Sequence, residues 1–447
     1  MTRRPSPTDA AAESLTAAAV LVATTMLAWA RLSPVARDTL WAEDATRFLH
    51  EEQRDGLAST LLRPYAGYLH VVPRLLAAVV LRVADLPHLA AAVTAASCLV
   101  SGLVGAALVV LTRGLVRRRT ARVVMGLSAA ALPTLPHETL GNLANLHSVL
   151  LVLAPVLFLA RPRGRPAALG CAALAALVTL TEIQAALFLP LLLHERHDRR
   201  RWPVAAAAVV GAAAQVVATL TSPRTTTPYG ASPASVALGY LAVPLPEAWS
   251  ARTSVVAWLV REQRTAYVVV AGVLLLGVLL LAATRTRGRR RLLVLACVPG
   301  SVATWSAALV LNGRPGADVS RWGATDFAGL PLARYASVSA SLLVLGLLVL
   351  ADALADGPEE GPVRRRAGRV ALVALVGSLV LGWATSGAVP SLRDAGPALP
   401  PQVPALVAAC RSVDPPPTVR LLAAPADQGY WTLPLPCADV RATASAR

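Results

Sequence analysis

Two adjacent carboxylates, Glu43 and Asp44, follow a tryptophan in the segment WAEDATRFL, Trp41 to Leu49. A carboxylate so placed can act as a general base toward a hydroxyl or ligate a divalent metal ion. Without chemistry, the same residues are a solvated acidic loop with Trp41 in an interfacial aromatic belt. The run RPYAGYLHVVPRL adds Tyr65, Tyr68, His70 and Arg74 in the same connection. A second polar cluster, PHETLGNLANLHS, holds His137, Glu138, Asn142, Asn145 and His147. Asn142 and Asn145 are spaced to share a helix face. The histidine spacing matches no common zinc pattern. These groups either bind helices to one another or line a polar cavity. Arg334 and Tyr335 follow a loop that carries Arg314, Asp318, Arg321 and Asp326. Such an arginine either snorkels to an interface or clamps a phosphate. Glu182, in TLTEIQAALFLPL, sits between two apolar stretches, where an acid is costly unless paired or wet.

The elements that must position these groups are membrane-spanning helices. Of 447 residues, 55% are hydrophobic and only 15% charged, against roughly a quarter charged in soluble domains. Apolar stretches near twenty residues recur, each long enough for a hydrocarbon core about 30 Å thick. The net charge of +17 comes from 42 basic residues, all arginine. They cluster in loops between apolar stretches, as the positive-inside rule expects, so nucleic acid is not the partner. The absence of lysine excludes a Walker A loop and a Schiff-base enzyme.

Spans are expected at about 15–32, 88–112, 122–135, 146–160, 167–180, 182–193, 203–221, 266–284, 292–311, 335–355 and 370–388. The pair 167–180 and 182–193 has the length of half-helices. The first span reads as an uncleaved signal anchor, although Ala28-Trp29-Ala30 has the form of a cleavage site. The stretch 69–84 contains Arg74 and Arg82 and is short for a span. Laid flat as an amphipathic surface helix, it puts the basic loops 113–122, 161–166, 194–202 and 285–291, and the segment 356–369, on the side of Arg3 and Arg4. The result is an all-α polytopic membrane protein with about eleven spans. Its N-terminus is cytoplasmic and its C-terminus extracytoplasmic. Residues 1–388 form the membrane module, with an outer first loop at 33–87. Residues 389–447 form a small outer tail.

Cys98, Cys171 and Cys297 fall in apolar stretches, where a thiol is a small core residue. Cys410 and Cys437 lie in the proline-rich tail. They pair as a disulfide if the tail meets an oxidising compartment, and are two free thiols otherwise.

Four segments in order, WAEDATRFL, RPYAGYLHVVPRLLA, HETLGNLANLHSVLL and LTEIQAALFLPLLL, resemble multi-pass bacterial proteins of the GT-C superfamily of membrane glycosyltransferases. The resemblance covers roughly residues 15–355 and departs from the better-known members in lacking a large outer carbohydrate-binding domain. It implies a GT-C-like bundle with its active site at the outer face. There a sugar moves from a polyprenyl-phosphate donor to a cell-envelope glycan or lipid acceptor. It also implies that an acidic residue of the first outer loop, Glu43 or Asp44, serves as base or metal ligand; Asp44, supported by Glu43, is the first choice for the base, and an arginine or a divalent metal ion meets the charge of the leaving phosphate. Tyr65, Tyr68, His70, Arg74, His137, Glu138, Asn142, Asn145, Arg334 and Tyr335 are then the substrate-binding candidates. Arg334 is the first choice for the phosphate clamp and Arg74 the second. The rival readings are a transporter or flippase, which calls for internal repeats and mid-membrane charge, and a non-catalytic component of cell-envelope assembly.

Overall fold

The computed structural model describes residues 7–224, 232–312, 318–330, 332–356, 362–425 and 431–445; Arg3, Arg4 and Arg314 lie outside them. Among the described residues seven helices are long and apolar enough to cross a membrane: Ala11–Ala30, Leu86–Gly114, Arg199–Thr221, Arg264–Arg285, Gly288–Leu311, Ala333–Ala355 and Arg365–Thr385. The chain is an all-α polytopic membrane protein. Each of these helices falls on an expected span. The other four expected spans form shorter helices: Arg119–Ala131, and the apolar Leu146–Phe158, Arg165–Thr179 and Ile183–Leu193. The first of these has 13 residues and the third 15, against about twenty for a full crossing. Ile183–Leu193 winds as a 3-10 helix of 11 residues, and its larger rise of about 2.0 Å per residue stretches it. The chain breaks at Thr181 and Glu182 between the last two, so this pair forms two half-helices.

Burial ranks the spans. Ala333–Ala355 is the central helix, with 89% of its apolar window inside the protein. Arg264–Arg285 and Arg365–Thr385 are at the rim, with 11% and 17%, and their outward valines and leucines suit lipid. Small residues bring the first helices into backbone contact. A methyl group on Gly102 would come within 2.0 Å of the Thr25 hydroxyl, and one on Gly105 within 2.7 Å of the Gly126 carbonyl. Close approach of this kind is how helices pack where no hydrophobic force drives them together.

The basic loops gather at one end. Asp352, near the end of the central helix, accepts the backbone N–H groups of Arg117 (2.8 Å) and Arg118 (3.1 Å) and lies 3.8 Å from the Arg290 guanidinium. Asp356 pairs with Arg117 at 2.8 Å and Arg290 at 3.1 Å. Close by, Arg289 donates to the Leu159 carbonyl at 3.1 Å, and Arg161 pairs with Glu195. Arg334 and Tyr335 begin the same central helix. At 1.5 Å per residue, its two ends are about 33 Å apart.

The stretch expected to lie flat forms a 13-residue helix, Val71–Val83, with one face buried and Val79 and Val83 exposed. It packs on the turn at Asp44–Leu49 and on Leu89–Leu111. The tail is stapled: Cys410 and Cys437 form a disulfide around an antiparallel pair, Thr418–Leu422 with Thr432–Pro436. The tail is bound to the first loop. Ala424 donates to the Leu40 carbonyl (2.9 Å) and Leu399 to the Asp38 carbonyl (2.7 Å). The buried Arg393 guanidinium donates to the carbonyls of Thr39, Leu140 and Gly141.

Candidate functional site

A cavity of about 420 Å³ opens at the end opposite the basic loops. The first loop supplies Glu43, Phe48, Tyr65, Tyr68 and His70, and the second cluster supplies Asn145 and His147. Glu182 and Gln184 come from the half-helix break, Arg224 from the end of Arg199–Thr221, and Arg334 and Tyr335 from the central helix. Deeper, the wall turns apolar with Leu151, Ile183, Ala308 and Val338, and Leu311 lies at the rim. This volume and this mixture suit an amphiphilic small molecule.

Glu43 and Asp44 part company here. Asp44 opens a π-helical turn, Asp44–Leu49, and is wholly buried. One of its oxygens accepts the Leu143 amide at 3.0 Å and the other the Ala144 amide at 2.9 Å. Burial pushes its carboxyl up to about 7, against the pull of these amides and of Arg393. Asp44 therefore clamps the first loop to the second cluster and does not line the cavity. Glu43 does line it, and its Oε2 is buried with no hydrogen-bond partner among the described residues. Successive helical residues point about 100° apart, so in this turn Glu43 faces the cavity while Asp44 points to the Leu143 and Ala144 amides.

The tyrosine segment forms a tight reversal. The amides and carbonyls of Tyr65 and Tyr68 pair at 2.9 and 3.2 Å around Ala66 (φ 52°) and Gly67 (φ 87°). Left-handed geometry at both central residues is that of a type I′ turn. A methyl on Gly67 would sit 3.3 Å from the Arg224 backbone nitrogen. Glycine thus lets Arg224 reach the cavity rim. His70 stacks against Tyr68 with ring centroids 4.1 Å apart, and its Nε2 lies 3.3 Å from the Tyr65 carbonyl. Burial, with help from His147 and Arg74, holds its pKa well below 6.5. Burial likewise raises the phenols of Tyr65 and Tyr68.

Several expected ligands turn out to be braces. Arg74 is 1% exposed; it pairs with Glu51 at 3.0 Å, donates to the Arg63 carbonyl at 3.1 Å and lies over the Phe48 ring. It holds the first loop to its surface helix and is not among the cavity-lining residues, which removes it as the second choice for a phosphate clamp. The ring Nδ1 of His137 meets the Pro390 carbonyl at 2.9 Å, tying the tail. Asn142 donates to the Glu138 carbonyl (2.7 Å) and accepts the Asn145 backbone amide (2.9 Å). Asn145 donates to the Glu138 carbonyl (2.9 Å) and also lines the cavity. Arg334 pairs with Glu138 at 2.9 Å and donates to the Tyr335 hydroxyl at 2.8 Å. Its Nε is buried with no partner among the described residues.

Three groups complete the site beyond the expected set. His147 contacts Glu182 through Nδ1, and the other Glu182 oxygen accepts the Gln184 amide at 2.8 Å. Both residues stand out in the sequence, but their separation of 35 positions hides the pairing. Arg224 carries no signal beyond being a basic residue in a loop. Among the described residues no group of three or more His, Cys, Asp or Glu side chains forms a metal-ligating set.

No protein-family model matches the chain, and no curated protein does. Among solved structures it is similar to the arabinofuranosyltransferase AftD from Mycobacteria, solved by single-particle cryo-EM, at 18% identity and a TM-score of 0.45. The match covers 83% of this chain and 27% of that one, so the chain spans about a quarter of that protein's length.

Proposed function

We propose that this chain is a membrane glycosyltransferase that moves a sugar from a polyprenyl-phosphate donor to a cell-envelope acceptor, with Glu43 as the base. One observation carries the reading: a buried, unpartnered carboxylate oxygen of Glu43 shares a cavity with the unpartnered Nε of Arg334, above an apolar wall. A base, a cation and a greasy wall are what a lipid-borne sugar phosphate and a hydroxyl acceptor need together. The isoprenoid lies along Leu151, Ile183, Ala308 and Val338, and the sugar meets Tyr65, Tyr68 and Tyr335. Glu43 takes the acceptor's hydroxyl proton. The acceptor oxygen bonds to the anomeric carbon, and the carbon–oxygen bond to phosphate breaks. The electron pair leaves on the phosphate, whose charge is met by Arg334 and Arg224. By the positive-inside rule the basic end is cytoplasmic and the cavity opens outside, where cell-envelope acceptors are. The test is transfer of labelled sugar from a polyprenyl-phosphate donor in membranes whose only copy is the variant. Glu43→Gln should lower it about 10²–10⁴-fold with melting unchanged. Full transfer by Glu43→Gln would overturn the reading and favour a transporter or a non-catalytic envelope component.

A further inference from the structure

The proposed reaction leaves a half-buried imidazole, His147, and its buried carboxylate partner, Glu182, unused. His147 and Glu182 meet at the collar of the cavity, where its lining changes from polar to apolar. His147 lies in the first turn of Leu146–Phe158, and Leu151, one turn deeper, already belongs to the apolar wall. Glu182 precedes Ile183, on the same wall. A lipid-linked phosphate has to rest at such a collar, with its chain below and its sugar above.

The pair is built to hold a proton at a fixed place. The Nδ1 of His147 is occupied by Glu182, and Glu182 is itself fixed by the Gln184 amide. A carboxylate on one ring nitrogen sets the orientation of the imidazole and stabilises its charged form. Nε2 is left as the nitrogen a cavity ligand can reach. The ring is wedged edge-on against Tyr68 and His70, at 5.8 and 6.0 Å between centroids. The titratable groups against it are Glu182, His70 and Tyr68, and Glu43, Arg224, Arg334 and Tyr335 line the same cavity.

We infer that His147, oriented by Glu182, donates a proton from Nε2 to the phosphate oxygen of the lipid-borne group as that oxygen leaves the sugar. This rests on the transferase reading given above. The bookkeeping closes: Glu43 gains the acceptor's proton, the new carbon–oxygen bond replaces the old one, and the phosphate oxygen keeps the electron pair and takes the imidazolium proton. Solvent then returns a proton to His147 and removes one from Glu43. His147 is the catalytic group in this step and Glu182 its positioning residue.

Binding of the product class tests the inference without knowledge of the sugar. The probe is farnesyl phosphate, titrated into the full-length detergent-solubilised protein between pH 5.5 and 8.5, with farnesol and inorganic phosphate as the two partial ligands. Wild type should bind farnesyl phosphate about tenfold more tightly than His147→Gln at the acid end, and the two should converge at the alkaline end. Taking the difference between the proteins cancels the ionisation of the phosphate itself. Glu182→Gln should lose part of the acid-end advantage, because the ring is no longer held toward the ligand by its carboxylate. Equal binding by wild type and His147→Gln at every pH, with His147→Gln melting normally, overturns the assignment. Inorganic phosphate competing as strongly as farnesyl phosphate would also overturn it, by making the site one for free phosphate. Should His147→Gln fail to fold, His147→Asn, which keeps a polar atom toward Glu182, carries the same comparison. Loss of sugar transfer in Glu43→Gln with a wild-type His147 curve leaves the first reading standing alone. Full transfer in Glu43→Gln removes the first reading whatever the binding curve.

Discussion

Asp44 is a structural acid whose two oxygens each hold a backbone amide of the neighbouring loop. As an exposed loop carboxylate it would be replaceable at almost no cost in stability; complete burial overturns that expectation. Asp44→Asn turns an NH₂ group toward one of the two amides and should destabilise by about 1–3 kcal/mol, read as a lower melting temperature of the purified protein. Any loss of transfer in that variant should follow the loss of folded protein, whereas Glu43→Gln should lose rate and keep its melting temperature. His70 gives a pH signature. Its folded pKa is depressed by burial, so below about 6.5 the unfolded chain takes up a proton that the folded chain resists. Stability should therefore fall as pH drops below 6.5, and His70→Phe should flatten that fall in melting curves. A slope unchanged in His70→Phe would assign it to another group. The sequence shows that a carboxylate belongs near Trp41. It cannot show which of two neighbours faces a cavity, because that depends on the phase of the π-helical turn.

Among the elements, the first loop is held by contacts that look, in sequence, like solvated charge. Glu51 pairs with the buried Arg74 and lies 3.6 Å from Arg63 and 3.8 Å from Arg47. Glu51→Gln, which as a plain loop change would do little, should instead cost measurable stability. Arg74→Ala should cost about 3–5 kcal/mol by stranding its partner, seen as earlier thermal unfolding in detergent. The second cluster turns at Gly141 (φ +72°), where a methyl group would come within 2.5 Å of Leu32 Cδ1 and 2.7 Å of Arg393 Nη2. Gly141→Ala combines a left-handed backbone with overpacking and should cost about 2–4 kcal/mol. If it melts like wild type, the turn is more yielding than its contacts imply. The half-helix break at Glu182 is legible because an acid interrupts an apolar run. Its partner His147 is not legible as a partner, since no helical spacing links residues on different helices.

For the whole molecule, hydropathy made every span visible, because twenty apolar residues have few places to go but a bilayer. Seven reach full length; four are short, since length alone does not tell a crossing from a helix that stops midway to build a site. The gathering of the basic loops around Asp352 and Asp356 gives a topology test. A cysteine at Arg118 and another at Asp55 should be labelled by an impermeant reagent from opposite sides of the membrane. Labelling from one side would make Val71–Val83 a crossing helix.

The joint between Arg393 and Thr39 spans 354 residues of sequence. A ribosome that has delivered every helix up to the central one has still not delivered the residues that brace the first loop. During synthesis Glu43 therefore waits in the membrane on an unfinished scaffold. A copy cut after residue 388 should hold its spans yet, on the proposed function, transfer no sugar, because the residues that lock the first loop in place are missing.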